Sequence, residues 1–239
     1  MRAATAAVGL LALLALSGCE TTAEKSARLE RAAHHTRLAE RGLSVVKQSA
    51  DVHVLGAVLV HDAEGAAAVM TLRNDSAHVL KDVPIAITVK DARGSTVFQN
   101  NAPGLEAALT SLGSLPAHGA ATWVDDQVPA SGAPASVSAI TGISPPASGP
   151  VPQVEVADVH PSEESGSATA AGTVRNSSNV AQQSLVVYVV ARRAGRIVAA
   201  GRAILPEVAP GAAIPFQAFL VGAPHGALLQ ADAPATTLG

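Results

Sequence analysis

The chain repeats itself at a spacing of 102 residues, and that repeat limits the folds open to it. Thr71-Leu72-Arg73-Asn74-Asp75-Ser76 returns as Thr173-Val174-Arg175-Asn176-Ser177-Ser178, 102 positions later. The same spacing sets Val52 and Val54 on Val154 and Val156, and the run from Val83 to Val89 on Leu185 to Ala191. Further along, Leu115-Pro116-Ala117-His118-Gly119 matches Ala209-Pro210-Gly211, and the spacing falls to 92. Gly94 and Gly195 stand 101 apart, so the later fall to 92 leaves the first copy about nine extra residues, placed within Asn100 to Ser114. A constant repeat with one localised insertion marks duplication of a whole folding unit.

Within each copy the pattern is that of strands. Ala68, Met70 and Leu72 alternate with Val69, Thr71 and Arg73, and Ala170, Gly172 and Val174 keep the same parity in the second copy. Period-two alternation is the mark of a half-buried strand. Asn74-Asp75-Ser76 and Asn176-Ser177-Ser178 end those strands with residues suited to Asx turns. Ala92-Arg93-Gly94 and Arg193-Ala194-Gly195 close the next hairpins. Each copy has room for about seven short strands, the rhythm of an immunoglobulin-like sandwich. Aromatic residues are 2% of the chain, so the cores must be built from Val, Leu, Ile and Ala.

The expected fold is mostly β: two tandem immunoglobulin-like β-sandwiches preceded by a signal peptide and a short N-terminal helix. The modules are placed at 48–144 and 153–239, joined by a Pro-rich linker over 145–152.

The N-terminus carries an address. Arg2 is a positive n-region and Ala3 to Leu16 an uncharged apolar run, shorter than the roughly 20 residues a membrane-spanning helix needs. Leu16-Ser17-Gly18-Cys19 then resembles the lipobox of a bacterial lipoprotein. The resemblance implies removal of residues 1–18 and a diacylglyceryl group on the Cys19 sulfur. It implies lipid anchoring on the extracytoplasmic side of the cell membrane. A durable anchor takes two acyl chains. Cys19 is the only cysteine, so no thiol is left for a disulfide, a nucleophile or a metal cluster. Residues 19–47 read as a helical spacer, capped by Thr21 or Thr22 and stopped by Gly42.

Each copy also resembles the FxLyD-type domain of bacterial lipoproteins. The matching features are the Asn turns at Asn74 and Asn176, the Asp91-Ala92-Arg93-Gly94 hairpin, and Pro210-Gly211 followed by Phe216. The second copy departs from it with Arg192 for the Asp and Val189-Val190 for the Leu-Tyr-type pair. The first has His118 within its Pro-Gly turn and Trp123 near the expected Phe. The resemblance implies fibronectin-like modules of the cell envelope and no catalysis.

Motifs for chemistry are few. The eight histidines form no zinc-binding spacing. No Gly-x-Ser-x-Gly elbow occurs, and Ser165-Gly166-Ser167 reads as a loop. Asp125-Asp126 sits in a strand whose adjacent residues face opposite ways, and it reads as a solvated strand end or bulge. The full chain has 16 basic and 19 acidic residues, net −3, which is no nucleic-acid footprint. No cofactor is expected beyond the covalent lipid on Cys19.

Two features mark a contact surface. Leu185 to Val190 is apolar at both parities, whereas a one-sided strand should alternate. Val186, Tyr188 and Val190 are therefore expected to be covered by the first module, by the N-terminal helix or by a partner. Arg192, Arg193 and Arg196 cluster at the adjoining hairpin, with Arg202 nearby, opposite a first copy that carries nine acidic and four basic residues. These charges suit either a module–module contact or an anionic envelope polymer. The expected function is that of a non-enzymatic envelope lipoprotein making protein–protein or envelope contacts. The alternative is a small-ligand-binding or accessory lipoprotein of a transporter or envelope enzyme, with a pocket between the modules.

Overall fold

Residues of one parity along each strand share a face, and such faces close on one another twice along the chain. The computed structural model describes residues 42–238 apart from Glu64 and Ser165. Leu16, Ser17, Gly18, Cys19 and the helix expected after them lie outside the described residues. The first half forms β1 (Val52–His61), β2 (Gly65–Asn74), β3 (Leu80–Asp91), β4 (Thr96–Gln99), β5 (Ser111–Leu115), β6 (Ala120–Pro129) and β7 (Pro134–Thr141). One antiparallel sheet has the order β1-β2-β6; in the other, β7 runs along one edge of β3 while β4 and then β5 follow the opposite edge.

The second half repeats this plan. It comprises β8 (Val154–Glu164), β9 (Ser167–Asn176), β10 (Gln182–Arg193), β11 (Arg196–Val208), β12 (Ala213–Phe219), β13 (Val221–Gly222) and β14 (Leu228–Asp232). Its sheets are β8-β9-β12 and β14-β10-β11-β13. The fold is mostly β, two tandem immunoglobulin-like sandwiches.

The insertion lies where the repeat places it. β11 runs unbroken beside β10, from Arg196 opposite Arg193 to Val208 opposite Gln182. In the first copy the equivalent edge is split into β4 and β5, and Asn100 to Thr110 loop out through a 3-10 turn at Ala107–Leu109. Buried Asn100 stands in for the missing ladder: it accepts from Ile87 N–H at 2.8 Å and donates to the carbonyls of Ile85 and Leu109 at 2.8 and 2.7 Å. The Trp123 indole holds the loop by donating to the Ala108 carbonyl at 3.0 Å.

Both Asn turns are internal pins. The Asn74 amide donates to the carbonyls of His78 and Pro116 at 2.7 and 3.0 Å, and its oxygen accepts from Ser76 N–H and Oγ. Asn176 does the same with Val180, Val208 and Ser178. Both side chains are fully buried, so their Asn-x-Ser patterns are turn chemistry. The cores differ in one exchange. Trp123 sits opposite Met70 in the first sandwich, and Phe216 sits opposite Gly172 in the second. A Cβ on Gly172 would lie 2.7 Å from the Phe216 ring, so the larger neighbour is admitted only by glycine.

The segment after β7 is stitched to the first sandwich rather than free. Lys81 N–H donates to the Pro145 carbonyl at 3.1 Å, Ala147 N–H donates to Val79 at 2.8 Å, and the Ser144 hydroxyl donates to the Lys81 carbonyl. The C-terminal segment is held likewise: Gln182 accepts from the N–H groups of Thr236 and Thr237 at 2.9 and 3.2 Å.

Candidate functional site between the two sandwiches

Strand β10 is buried without interruption from Leu185 to Ala191, and its two parities belong to different cores. Leu185, Val187, Val189 and Ala191 fill the second sandwich. Val186, Tyr188 and Val190, with Ala200 of β11, pack into the hydrophobic cluster of the first. They meet the outer face of the β1-β2-β6 sheet, across which β11 and β13 lie. Ala67 and Ala200 are small residues at that contact, and Val69, beside Ala67 on the outward parity of β2, is buried there.

This corrects the contact surface proposed from sequence. Val186, Tyr188 and Val190 are at most 5% exposed within the chain itself, so they cannot meet an external partner. The first module is what covers them. Arg193 and Arg196 are exposed and Arg192 half-buried, with Arg192 Nε donating to Gln230 at 3.0 Å and Arg193 Nη1 to the His225 carbonyl at 2.9 Å.

The charge that joins the modules is Arg202, directly across the ladder from Tyr188. Its side chain is only 4% exposed. Its N–H donates to Asp126 Oδ2 at 3.0 Å and its Nε to Oδ1 at 2.9 Å. Its Nη1 is buried without a hydrogen bond, 3.6 Å from Glu106 Oε2 on the insertion loop. Asp62 adds a second link by accepting from Gly222 N–H at 2.9 Å. The Asp125-Asp126 pair is thus no solvated strand end. A register shift does fall there, but Asp126 serves the interface and Asp125 is buried. Asp125 Oδ1 accepts from Gln127 N–H at 3.0 Å, whereas Oδ2 has no partner. Burial, reinforced by the Asp126 charge, pushes its carboxyl from 3.8 up to about 6.

Beside this junction lies a cleft of about 400 Å³ with walls from both sandwiches. Val186, Tyr188 and Ile204 form its apolar side, and the insertion contributes Glu106, Ala107 and Ala108. Asp82 and Ser184, equivalent by the 102-residue repeat, also line it, with left-handed φ of 49° and 48°. Aspartate tolerates that conformation better than most residues. Burial raises the Tyr188 phenol well above its ordinary range.

No protein-family model matches the chain, and no curated protein matches it. Among the described residues no three His, Cys, Asp or Glu side chains gather as metal ligands. His53 instead meets Asp75 at 3.1 Å on the surface, where Arg73 also binds Asp75 at 2.6 Å. None of the described helices is long and apolar enough to cross a membrane.

Sequence reasoning missed Asp82, Glu106 and Ser184. Glu106 had a usable signal, being the one charged residue in the segment that breaks the repeat. Asp82 and Ser184 had none, since left-handed strand residues carry no distinct composition.

Proposed function

We propose that the chain is a non-enzymatic lipoprotein of the bacterial cell envelope, anchored through a lipid on Cys19, with FxLyD-like modules that act through contacts. The observation that carries this reading is the shared core of the two sandwiches. Tyr188, Val186 and Val190 fuse them into one body, which suits a protein that must present groups at fixed spacing. With that strip consumed, the external contact falls to the Arg192, Arg193 and Arg196 hairpin, whose exposed charges suit an anionic envelope polymer or an acidic protein. Exposed guanidinium groups raise encounter rates more than affinity.

The test combines address and contact. Cys19→Ser is expected to move the protein out of the membrane fraction and abolish labelling by a clickable palmitate analogue. A photo-crosslinker at Arg196 in intact cells is expected to capture an envelope component. Retention of label by the Cys19→Ser protein, or an uncrosslinked Arg196 site in the acylated protein, overturns the reading.

The second reading, a small-ligand-binding accessory lipoprotein, is favoured by the cleft between the sandwiches. Its volume lies in the range of small-molecule sites, and it brings polar groups to an apolar wall.

A further inference from the structure

The hairpin tip of the second sandwich is built against its own stability. Strands β10 and β11 close on the two-residue turn Ala194-Gly195, both at left-handed φ, 48° and 79°. Glycine and asparagine favour such tight turns, yet alanine fills the first position. Arg193 and Arg196 are therefore the last pair of the ladder, directly opposite each other. Paired strand residues hold their Cβ atoms about 5 Å apart, and like charges so placed repel. Arg192 adds a third cation beside them.

The first sandwich does the opposite. Its equivalent hairpin closes on Ala92-Arg93-Gly94, and Asp91 Oδ1 caps the turn by accepting from the N–H groups of Arg93 and Ser95 at 2.9 and 2.8 Å. At the second tip no acid takes that place. Among the described residues, no Asp or Glu lies within ion-pair distance of Arg192, Arg193 or Arg196. Arg192 and Arg193 each give one donor to a neutral acceptor, Gln230 and the His225 carbonyl, and Arg196 gives none to a described residue. Most of their N–H groups remain for an outside anion.

A second observation narrows that anion. Leu228, on edge strand β14, is the cross-strand partner of Arg192 and is 78% exposed. Directly paired residues share a face, so a bare leucine stands beside the cations. A hydrated polyanion gains nothing from that hydrocarbon. A phospholipid surface offers phosphate to the arginines and acyl chains to the leucine.

We propose that the Arg192, Arg193 and Arg196 hairpin docks on the anionic phospholipid surface of the membrane, its guanidinium groups on lipid phosphates and Leu228 among the acyl chains. This rests on the hairpin being the external contact and makes the lipid itself that contact. Each arginine close to an anionic surface strengthens partition about fivefold. Three give a reversible contact that a tether must hold in place.

The test uses the mature chain with Cys19→Ser, so that no acyl group can hold it to a bilayer. Partition is measured by co-sedimentation with vesicles of phosphatidylcholine alone or mixed with phosphatidylglycerol. Binding is expected only with phosphatidylglycerol and is expected to fall as salt rises. Arg193→Gln and Arg196→Gln are each expected to lower partition about fivefold. Thermal unfolding should stay put or move up in both, because the opposed pair is relieved. Leu228→Asn is expected to weaken binding severalfold without changing its salt slope. Arg175→Gln, at an exposed arginine of β9, is expected to change nothing. Binding that survives the tip variants, or that falls equally with Arg175→Gln, overturns the site. Equal binding to neutral and anionic vesicles overturns the proposal as well. Tip-dependent binding of soluble polyphosphate with none to vesicles overturns the lipid and leaves the hairpin standing as a contact. Binding to neither overturns the hairpin as a contact, while the acyl anchor is still decided by palmitate labelling.

Discussion

Strands β3 and β10 occupy the same place in their sandwiches, yet one is buried on one face and the other on both. The outward positions of β3 are Pro84, Ala86 and Thr88, all half-exposed. Their counterparts on β10 are Val186, Tyr188 and Val190, all buried. Inward positions barely differ: Val83, Ile85, Ile87 and Val89 against Leu185, Val187, Val189 and Ala191. Duplication thus kept the core and rewrote one outer face. Burying a Tyr-sized group there contributes about 4 kcal/mol by area. That is enough to make two folding units unfold as one.

Tyr188→Ala should break this asymmetry most sharply, destabilising by about 3–5 kcal/mol, whereas Ala86→Ser at the equivalent site should change stability by less than about 0.5 kcal/mol. Calorimetry should show one transition in the parent and two in Tyr188→Ala. Equal effects at positions 86 and 188 would remove the interface from the account. Arg202→Ala should come next, at about 3 kcal/mol, because it strands the Asp126 carboxylate. Pairing Arg202→Leu with Asp126→Leu should recover most of that loss in urea unfolding, as a buried ion pair often yields little net stability over packed hydrocarbon. A double variant no better than Arg202→Ala alone would show that the pair itself holds the sandwiches together.

Much of this contrast was legible. The 102-residue repeat, the Asn turns and the insertion all follow from local pattern, and the broken alternation of β10 announced a second buried face. What covered that face was not legible. The complementary strip on β2 is Ala67 and Val69, too small and too ordinary for a strand to stand out. Asp126 was legible as an acid within a strand but not as a partner of Arg202, because the two are 76 residues apart and joined only by sheet packing. Of the four clustered arginines only Arg202 is buried, and its place directly opposite Tyr188 depends on a register that composition does not reveal.

The two pins test whether the copies are equivalent where they look alike. Asn74→Ala and Asn176→Ala should each cost about 2 kcal/mol, because each strands buried carbonyls and an N–H. Similar losses in thermal melts would show that the pins survived duplication unchanged. A loss confined to Asn74 would mean that the second copy relies on the interface instead.

The smallest effect is also the one that separates the sandwiches by pH. The first has Asp125 buried beside Trp123 on β6, where the second has Ala218 beside Phe216 on β12. The Asp125 carboxyl is raised from 3.8 to about 6 in the folded chain, so between those values the native state holds a proton the unfolded chain has released. The contribution to stability is therefore full below about pH 4 and lost as pH rises through 6. Asp125→Asn should stabilise the protein at pH 7 by about 1–2 kcal/mol and leave it nearly unchanged at pH 4. Urea midpoints for parent and variant should converge on acidification. Midpoints that differ equally at both pH values would mean that Asp125 ionises freely, and that its orphaned Oδ2 reaches water.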